Sequence, residues 1–333
     1  MIVDQALKDA TAELAATAGF VGELGMQRLR VHGQNRVFRV DVGGATLLLK
    51  RYFPGTGERR DRLRAEFSFS RFAWSQGVRV IPEPIAADYT RHMALFAFVE
   101  GTRAAAAPVT AAAIAAAVAF IAHINRDRAG LSARALPLAF GGLFSIAEHI
   151  AAIGSRLIEL RERAEGLHLD SFACELIDAR LRPAWASVAA ALGDCPDPPA
   201  AERCLSPSDF GFHNAIIDAA GQLVFHDFEY AGWDDPARIV AELFAQPQVP
   251  IARQLFMPFA QGIGAALGLS QGFAERAARL LPLYRVYNCC ALLTEILPAD
   301  GSAAKRKRRR ENKDARWAAV QKAIADLHEH ESR

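Results

Sequence analysis

Three oxygen-bearing side chains punctuate the stretch SPSDFGFHNAIIDAAGQLVFHDFEY at 206–230: Asp209, Asn214 five positions on, and Asp227. Between the last two runs what reads as a β-hairpin, with AII at 215–217, turn residues from Asp218 to Gly221, and LVFH at 223–226. Residues equidistant from a hairpin turn meet at one end. Asn214 and Asp227 are equidistant from the point between Ala220 and Gly221, so the sequence predicts that they arrive together. There they can share a divalent cation through hard oxygen atoms, as magnesium prefers. Asp209, in the loop just before, is then placed to orient or deprotonate a hydroxyl. A metal clamp beside such a carboxylate is the equipment of phosphoryl transfer. Taken singly, each residue is as well explained as a turn former or a helix cap. The triplet with a hairpin inside it is what points to chemistry.

That chemistry also needs a cation for the inner phosphates and a carboxylate to aim it. Lys50 ends the apolar run TLLLK, where an unpaired ammonium would be costly to bury. Glu66 lies in RLRAEFSF, on the helix expected next, and a Lys50–Glu66 pair would turn the ammonium toward phosphate. The loop HGQNRVFRV at 32–40, with Gly33 and Asn35, is the candidate cover over the phosphates. An ordinary hairpin turn explains it equally.

The elements that must position these groups read as follows. Residues 3–18 form an amphipathic helix. MQRLRV, RVFRVDV and TLLLKRYF are strands, with HGQN and GG as turns. Residues 59–76 return to helical spacing, with Leu63, Phe67, Ser70 and Trp74 recurring. Pro82 and Pro84 mark a loop, and MALFAFVEG at 93–101 is a further strand. Helices dominate beyond it. The change of composition near Gly101 sets an expected boundary between an N-terminal nucleotide lobe, 1–101, and a helical catalytic and acceptor-binding lobe, 102–333. AAAAPVTAAAIAAAVAFIA at 104–122 is long and uncharged, but its alanines, Pro108 and Thr110 predict a buried helix capped by Thr110 rather than a membrane span.

Composition narrows the classes. A chain of 333 residues with net charge +2 carries no global attraction for nucleic acid or anionic membrane. Five cysteines without CxxC spacing argue against a disulfide scaffold or zinc site and for a reducing compartment. Asp4, Lys8, Asp9 and Glu13 rule out a signal peptide, so the expected location is cytoplasmic.

From about Gly25 to Leu243 the chain resembles the aminoglycoside phosphotransferase and choline kinase family. PSDFGFHN is similar to that family's HGDxxxxN element, HDFE to its I-D-[WF]-E element, and WDDPA at 233–237 to its Asp-Pro turn. The Asp-x4-Asn spacing is also that of kinase catalytic loops. The resemblance implies an α+β, two-lobed protein-kinase-like fold, with a small antiparallel sheet and one main helix followed by a larger helical lobe. It implies ATP and Mg2+, with Asp209 as base, Asn214 and Asp227 as metal ligands, and Lys50 and Glu66 as the ion pair of the small lobe. FAFVEG at 96–101 resembles the segment joining the lobes, where backbone groups of Phe98 and Val99 would meet adenine. Three departures stand out: Pro207 and Ser208 replace the histidine and glycine of HGD, Ile239 stands near the place of an acidic residue, and the nucleotide loop is poor in glycine.

The resulting expectation is a magnesium-dependent small-molecule kinase that phosphorylates a hydroxyl. Its rival is a kinase-like module that holds nucleotide without turnover. A third reading, nucleic-acid or lipid contact, comes from KRKRRR at 305–310, but the acidic residues that follow favour a solvated helix start. His213 and His226 flank the proposed ligands, and a buried, hydrogen-bonded His226 is the expectation. Glu229 faces the acceptor or caps the next turn, Tyr230 and Trp233 line the acceptor or pack the loop, and Cys289–Cys290 is core.

Overall fold

The computed structural model describes residues 4–29, 35–53, 60–166, 171–297 and 313–329. Gly33 and the basic run 305–310 lie outside them. Its contacts gather the chain into two compact units: Met1–Gly142 with Cys204–Asp234, and Leu143–Arg203 with Asp235–Arg333.

The first unit opens with α1 (Gln5–Thr17), β1 (Leu24–Arg28), β2 (Arg36–Val42), β3 (Ala45–Arg51), α2 (Arg62–Ser75), β4 (Pro84–Asp88) and β5 (Met93–Ala97). The strands form one antiparallel sheet in the order β1-β2-β3-β5-β4. Strand side chains alternate between faces, and this parity decides what Lys50 meets. Phe38, Val40, Val42, Leu47, Leu49, Met93 and Leu95 pack with Leu7, Ala10 and Leu14 of α1. Their neighbours Ala94 and Phe96 pack with Leu63 and Phe67 of α2 on the other face. Lys50, one residue beyond Leu49, therefore points to the α2 side. The Pro82–Pro84 stretch is not wholly loop, as the sequence reading had it: Pro84 begins β4. The strand lies at the sheet edge, where a residue lacking an N–H is tolerated.

The first unit continues with β6 (Gly101–Arg103), α3 (Ala111–Ile124) and the short α4 (Leu131–Arg134), and is completed by β7 (Cys204–Ser206), β8 (Ala215–Asp218), β9 (Leu223–Phe225) and β10 (Gly232–Asp234). Thr110 caps α3, its hydroxyl accepting from Ala113 N–H at 3.2 Å, and Ile114, Phe120, Ile121 and Ile124 are buried. No helix among the described residues is long and apolar enough to cross a membrane. Phe120 stacks on Phe225 with centroids 4.9 Å apart and lies 5.8 Å from Phe210. One apolar helix thus holds both the loop before β8 and the strand after it.

The second unit is helical: α5 (Ile146–Gly166), α6 (Ser171–Leu176), α7 (Arg182–Ala191), α8 (Pro236–Ala245), α9 (Phe256–Leu267), α10 (Phe273–Ile296) and α11 (Lys313–Glu329). Asp235, fully buried, caps α8 through Ala237 N–H at 2.9 Å and pairs with Arg276 and with His149 at 3.3 Å. Cys289 and Cys290 are buried in α10.

Gly101 is required by close approach. A Cβ there would sit 2.3 Å from the Ile217 carbonyl oxygen across the β6–β8 pair. Gly101→Ala is expected to destabilise the protein by about 1–3 kcal/mol, read from the midpoint of chemical denaturation.

Candidate active site

The hairpin forms, but its register differs from the expectation by one residue. Ala215, Ile216 and Ile217 pair with Phe225, Val224 and Leu223, so Asn214 stands opposite His226, whose N–H donates to the Asn214 carbonyl at 3.0 Å. The reason is the turn. Asp218 accepts from Gly221 N–H at 3.0 Å and donates to Gln222, closing a three-residue loop with Gly221 at φ 76°. The loop is odd-numbered, so its centre falls on Ala220. Asp227 follows β9 with φ 70°, a left-handed value rare for a non-glycine residue, and this bend rather than strand pairing directs its side chain.

That bend delivers Asp227 to Lys50. The Lys50 side chain is 7 % exposed and its ammonium contacts three carboxylates: Glu66 at 2.6 Å, Asp227, and Glu229 at 3.4 Å. Glu66, on the buried face of α2, accepts from Tyr52 O–H at 2.7 Å and from Phe228 N–H at 3.2 Å. Glu229 also accepts from Asn35 Nδ2 and from Arg62 at 3.2 Å. Arg60 donates to the carbonyls of Glu229 at 3.0 Å, Leu138 at 2.7 Å and Ala231 at 2.7 Å, which ties the start of α2 to the segment carrying Glu229. Burial opposes the Lys50 charge, but the three carboxylates outweigh it and raise its pKa. Burial and the negative charges of Asp227 and Glu229 push Glu66 up, with Lys50 pulling the other way. Asp227 is held below the ordinary range because Lys50 overcomes the burial effect. Burial also keeps His226 neutral, pushing it down to about 4.

Asp209 and Asn214 occupy the adjoining loop. Asn214 Nδ2 donates to the Asp209 carbonyl at 3.1 Å, so the Asn214 side-chain oxygen is the atom left to face a cation. The Asp209 carboxylate is 55 % exposed and lies 3.4 Å from His213 Nε2. Ser208 and Asp209 both take left-handed φ, 49° and 48°, and Ser208 N–H is held by the Ser206 hydroxyl at 3.1 Å. The loop and the Lys50 cluster are thus continuous through Asn214, His226 and Asp227.

Other expectations fall out as follows. Asn35 lies at the cluster, but its side chain is engaged by Glu229 and by Phe53 N–H, which donates to it at 3.1 Å. Phe98 N–H already donates to the Thr46 carbonyl at 3.3 Å, and its ring lies under Arg39 at 5.0 Å. Tyr230 packs on Phe140 at 5.1 Å and beneath Arg62 at 5.2 Å, while the Trp233 indole donates to the Ala133 carbonyl at 3.0 Å. The sequence reading left Glu229 open between two roles and missed its place at Lys50. The signal was its spacing, two residues beyond Asp227 in HDFE. Glu66, Asp227 and Glu229 bring carboxylate oxygens within 4.8 Å of one another. This hard-oxygen set suits magnesium, and among the described residues the three carboxylates pair with Lys50 and Arg62, which leaves negative charge to be compensated.

A family model described as "Phosphotransferase enzyme family" matches residues 26–281. Comparison with curated protein sequences finds no match. Among solved structures, the chain is similar to a spectinomycin phosphotransferase in complex with ADP and spectinomycin, with TM-score 0.63 and 13 % identity over 97 % of this chain and 98 % of that one. It is similar to a choline kinase from Streptococcus pneumoniae, with TM-score 0.61 and 14 % identity over 97 % and 100 %. A third structure, of a streptomycin–ATP ternary complex, gives 0.56 and 13 % over 99 % and 97 %. These likenesses show the kinase-like fold, with its small antiparallel sheet and helical remainder.

The left-handed Ser208 is a site of measurable strain. Ser208→Val is expected to cost about 1–3 kcal/mol, since a β-branched residue tolerates that region poorly. Ser208→Gly is expected to match or exceed wild-type stability, and thermal melting of the two variants checks the contrast.

Proposed function

We propose, from the premise that the chain belongs to the phosphotransferase enzyme family, that it moves the γ-phosphoryl group of ATP to a hydroxyl of a small molecule, with Asp209 as base. The observation that carries this reading is the convergence of Glu66, Asp227 and Glu229 on the Lys50 ammonium, with Asp209 and Asn214 on the adjoining loop. A cluster of this kind is poor as a purely structural device, because buried ion pairs seldom stabilise more than apolar packing would.

Each residue has a distinct task. Lys50, held by Glu66, binds the inner phosphates as a fixed positive charge. Asp227 and Asn214 would hold magnesium, and Glu229, with an oxygen within 4.8 Å of that of Asp227, could add another. Magnesium, when bound, supplies neutralisation of charge on the triphosphate. Asp209, exposed at the rim, takes the proton of the acceptor hydroxyl as the oxygen attacks phosphorus. Backbone groups of Phe98 and Val99 meet the adenine; with the Phe98 amide already engaged by Thr46, the Phe98 carbonyl and the Val99 amide are the groups to do so. Residues up to Gly101 serve the nucleotide, and those from Thr102 onward supply the base and the acceptor side.

The test is a screen of hydroxylated metabolites with Mg2+ and ATP, followed by mass detection of the phosphorylated product. Asp209→Asn is expected to lower kcat by about 10²–10⁴-fold with the KM for ATP little changed. Asp227→Ala is expected to abolish magnesium-dependent turnover, and Lys50→Ala to raise the KM for ATP. Tight ATP binding without product from any acceptor, and without ADP release, would instead support a nucleotide-holding module.

A further inference from the structure

We propose that His213 is a positioning residue for Asp209, holding one carboxylate oxygen so that the other faces the acceptor. This rests on the reading of Asp209 as base. The His213 side chain is 15 % exposed, and its Nε2 lies 3.4 Å from Asp209 Oδ1. Among the described residues neither ring nitrogen has a hydrogen-bond partner. A histidine retained for structure alone ordinarily satisfies its ring nitrogens when buried. Here both are without a partner among the described residues, and Nε2 lies 3.4 Å from the carboxylate, close to but not yet at hydrogen-bond geometry.

The backbone around the ring is fixed. Asn214, the next residue, is bound at its side chain by the Asp209 carbonyl and at its own carbonyl by His226 N–H. Phe212, the residue before, is buried near Phe225. The chain is therefore held on both sides of His213, whose side chain is 15 % exposed, whereas the Asp209 carboxylate is more than half exposed. On the preceding side, Pro207 has no N–H to offer the Asp209 carboxylate, and the Ser208 amide is taken by the Ser206 hydroxyl.

Catalytic hydrogen bonds are commonly long in the free enzyme and tighten with substrate. With nucleotide and acceptor bound, Nε2–H would close on Oδ1 and donate to it, leaving Oδ2 to take the proton of the acceptor hydroxyl as its oxygen bonds to phosphorus and the bond to the ADP oxygen breaks. The imidazole keeps its proton throughout, so its part is geometric.

The intrinsic hydrolysis of magnesium-ATP by the full chain tests this, with water in place of the acceptor hydroxyl and released phosphate as the readout. His213→Phe is expected to lower kcat about tenfold, the scale of a modest misplacement of a reacting group, with the KM for ATP unchanged. His213→Gln, which keeps a donor of similar reach, should recover most of the rate. In an Asp209→Asn background, His213→Phe should cause no further loss, because its effect passes through the carboxylate. An unchanged kcat in His213→Phe, a loss confined to KM, or the same loss in both backgrounds overturns the proposal. If Asp209→Asn alone leaves hydrolysis intact, the base assignment fails first and takes this inference with it. Should the Phe variant not fold, His213→Met, also unable to donate, replaces it.

Discussion

One buried ammonium organises the site. Lys50 is almost wholly removed from solvent, and a charge in that position persists only when paired. Its partners come from two places: Glu66 on α2, and Asp227 and Glu229 on the segment after β9. A strand, a helix and a loop are therefore located relative to one another by a single electrostatic requirement. Among the described residues the pairing is also incomplete, since three carboxylates meet two cations, Lys50 and Arg62. Burial, with the repulsion of Asp227 and Glu229, pushes Glu66 up against the pull of Lys50, whereas Lys50 holds Asp227 down in spite of burial. A further cation would relieve that repulsion, so the arrangement that fixes the elements also leaves negative charge open to compensation.

Holding the functional side chains there requires backbone conformations that ordinary residues avoid. Ser208, Asp209 and Asp227 all have left-handed φ, each costing of order 1–3 kcal/mol. The compensation is aromatic. Phe210 follows Asp209, Phe212 precedes His213, and Phe225 and Phe228 bracket His226 and Asp227. These rings gather around Phe120 of α3 or around one another, at centroid separations of 4.9–6.5 Å. Each bend that exposes a functional oxygen is thus pinned by a buried phenylalanine beside it. The alanine-rich helix α3, which the sequence could offer as a membrane span, instead supplies the floor for this cluster.

Much of this was legible in the sequence because period and parity are local. The alternation in RVFRVDV and TLLLK marked the sheet, and the three-and-four spacing of Leu63 and Phe67 marked α2. Together they imply that Lys50 and Glu66 share a face. The hairpin register was not legible, because a loop of two residues and one of three differ only in whether Gly221 adopts a left-handed bulge. A one-residue slip exchanges the faces of a strand, so the predicted meeting of Asn214 with Asp227 became a pairing with His226. Asp227 nevertheless reaches the cluster, because its own φ restores the direction that the register denied it. β4 was missed because proline counts against a strand unless the strand is known to lie at an edge, and edge position is a property of the whole sheet. Glu229 was seen but not placed, since only the close approach of the segment to Lys50 separates a capping role from a buried contact.

The altered motif at 207–209 bears on what such a site needs from its letters. Ser208 stands where the resembled pattern has glycine, and it adopts the conformation that glycine would adopt freely. The strain is carried rather than avoided, and the Ser206 hydroxyl bond to the Ser208 amide helps to hold it. Pro207 stands where that pattern has histidine, yet a histidine recurs four residues after Asp209, 3.4 Å from its carboxylate. The chain has therefore changed the residues that support the loop while retaining the oxygens that the loop presents. Asp227 stays at the Lys50 ammonium and Asp209 and Asn214 stay together on the adjoining loop, with a different set of residues supporting them.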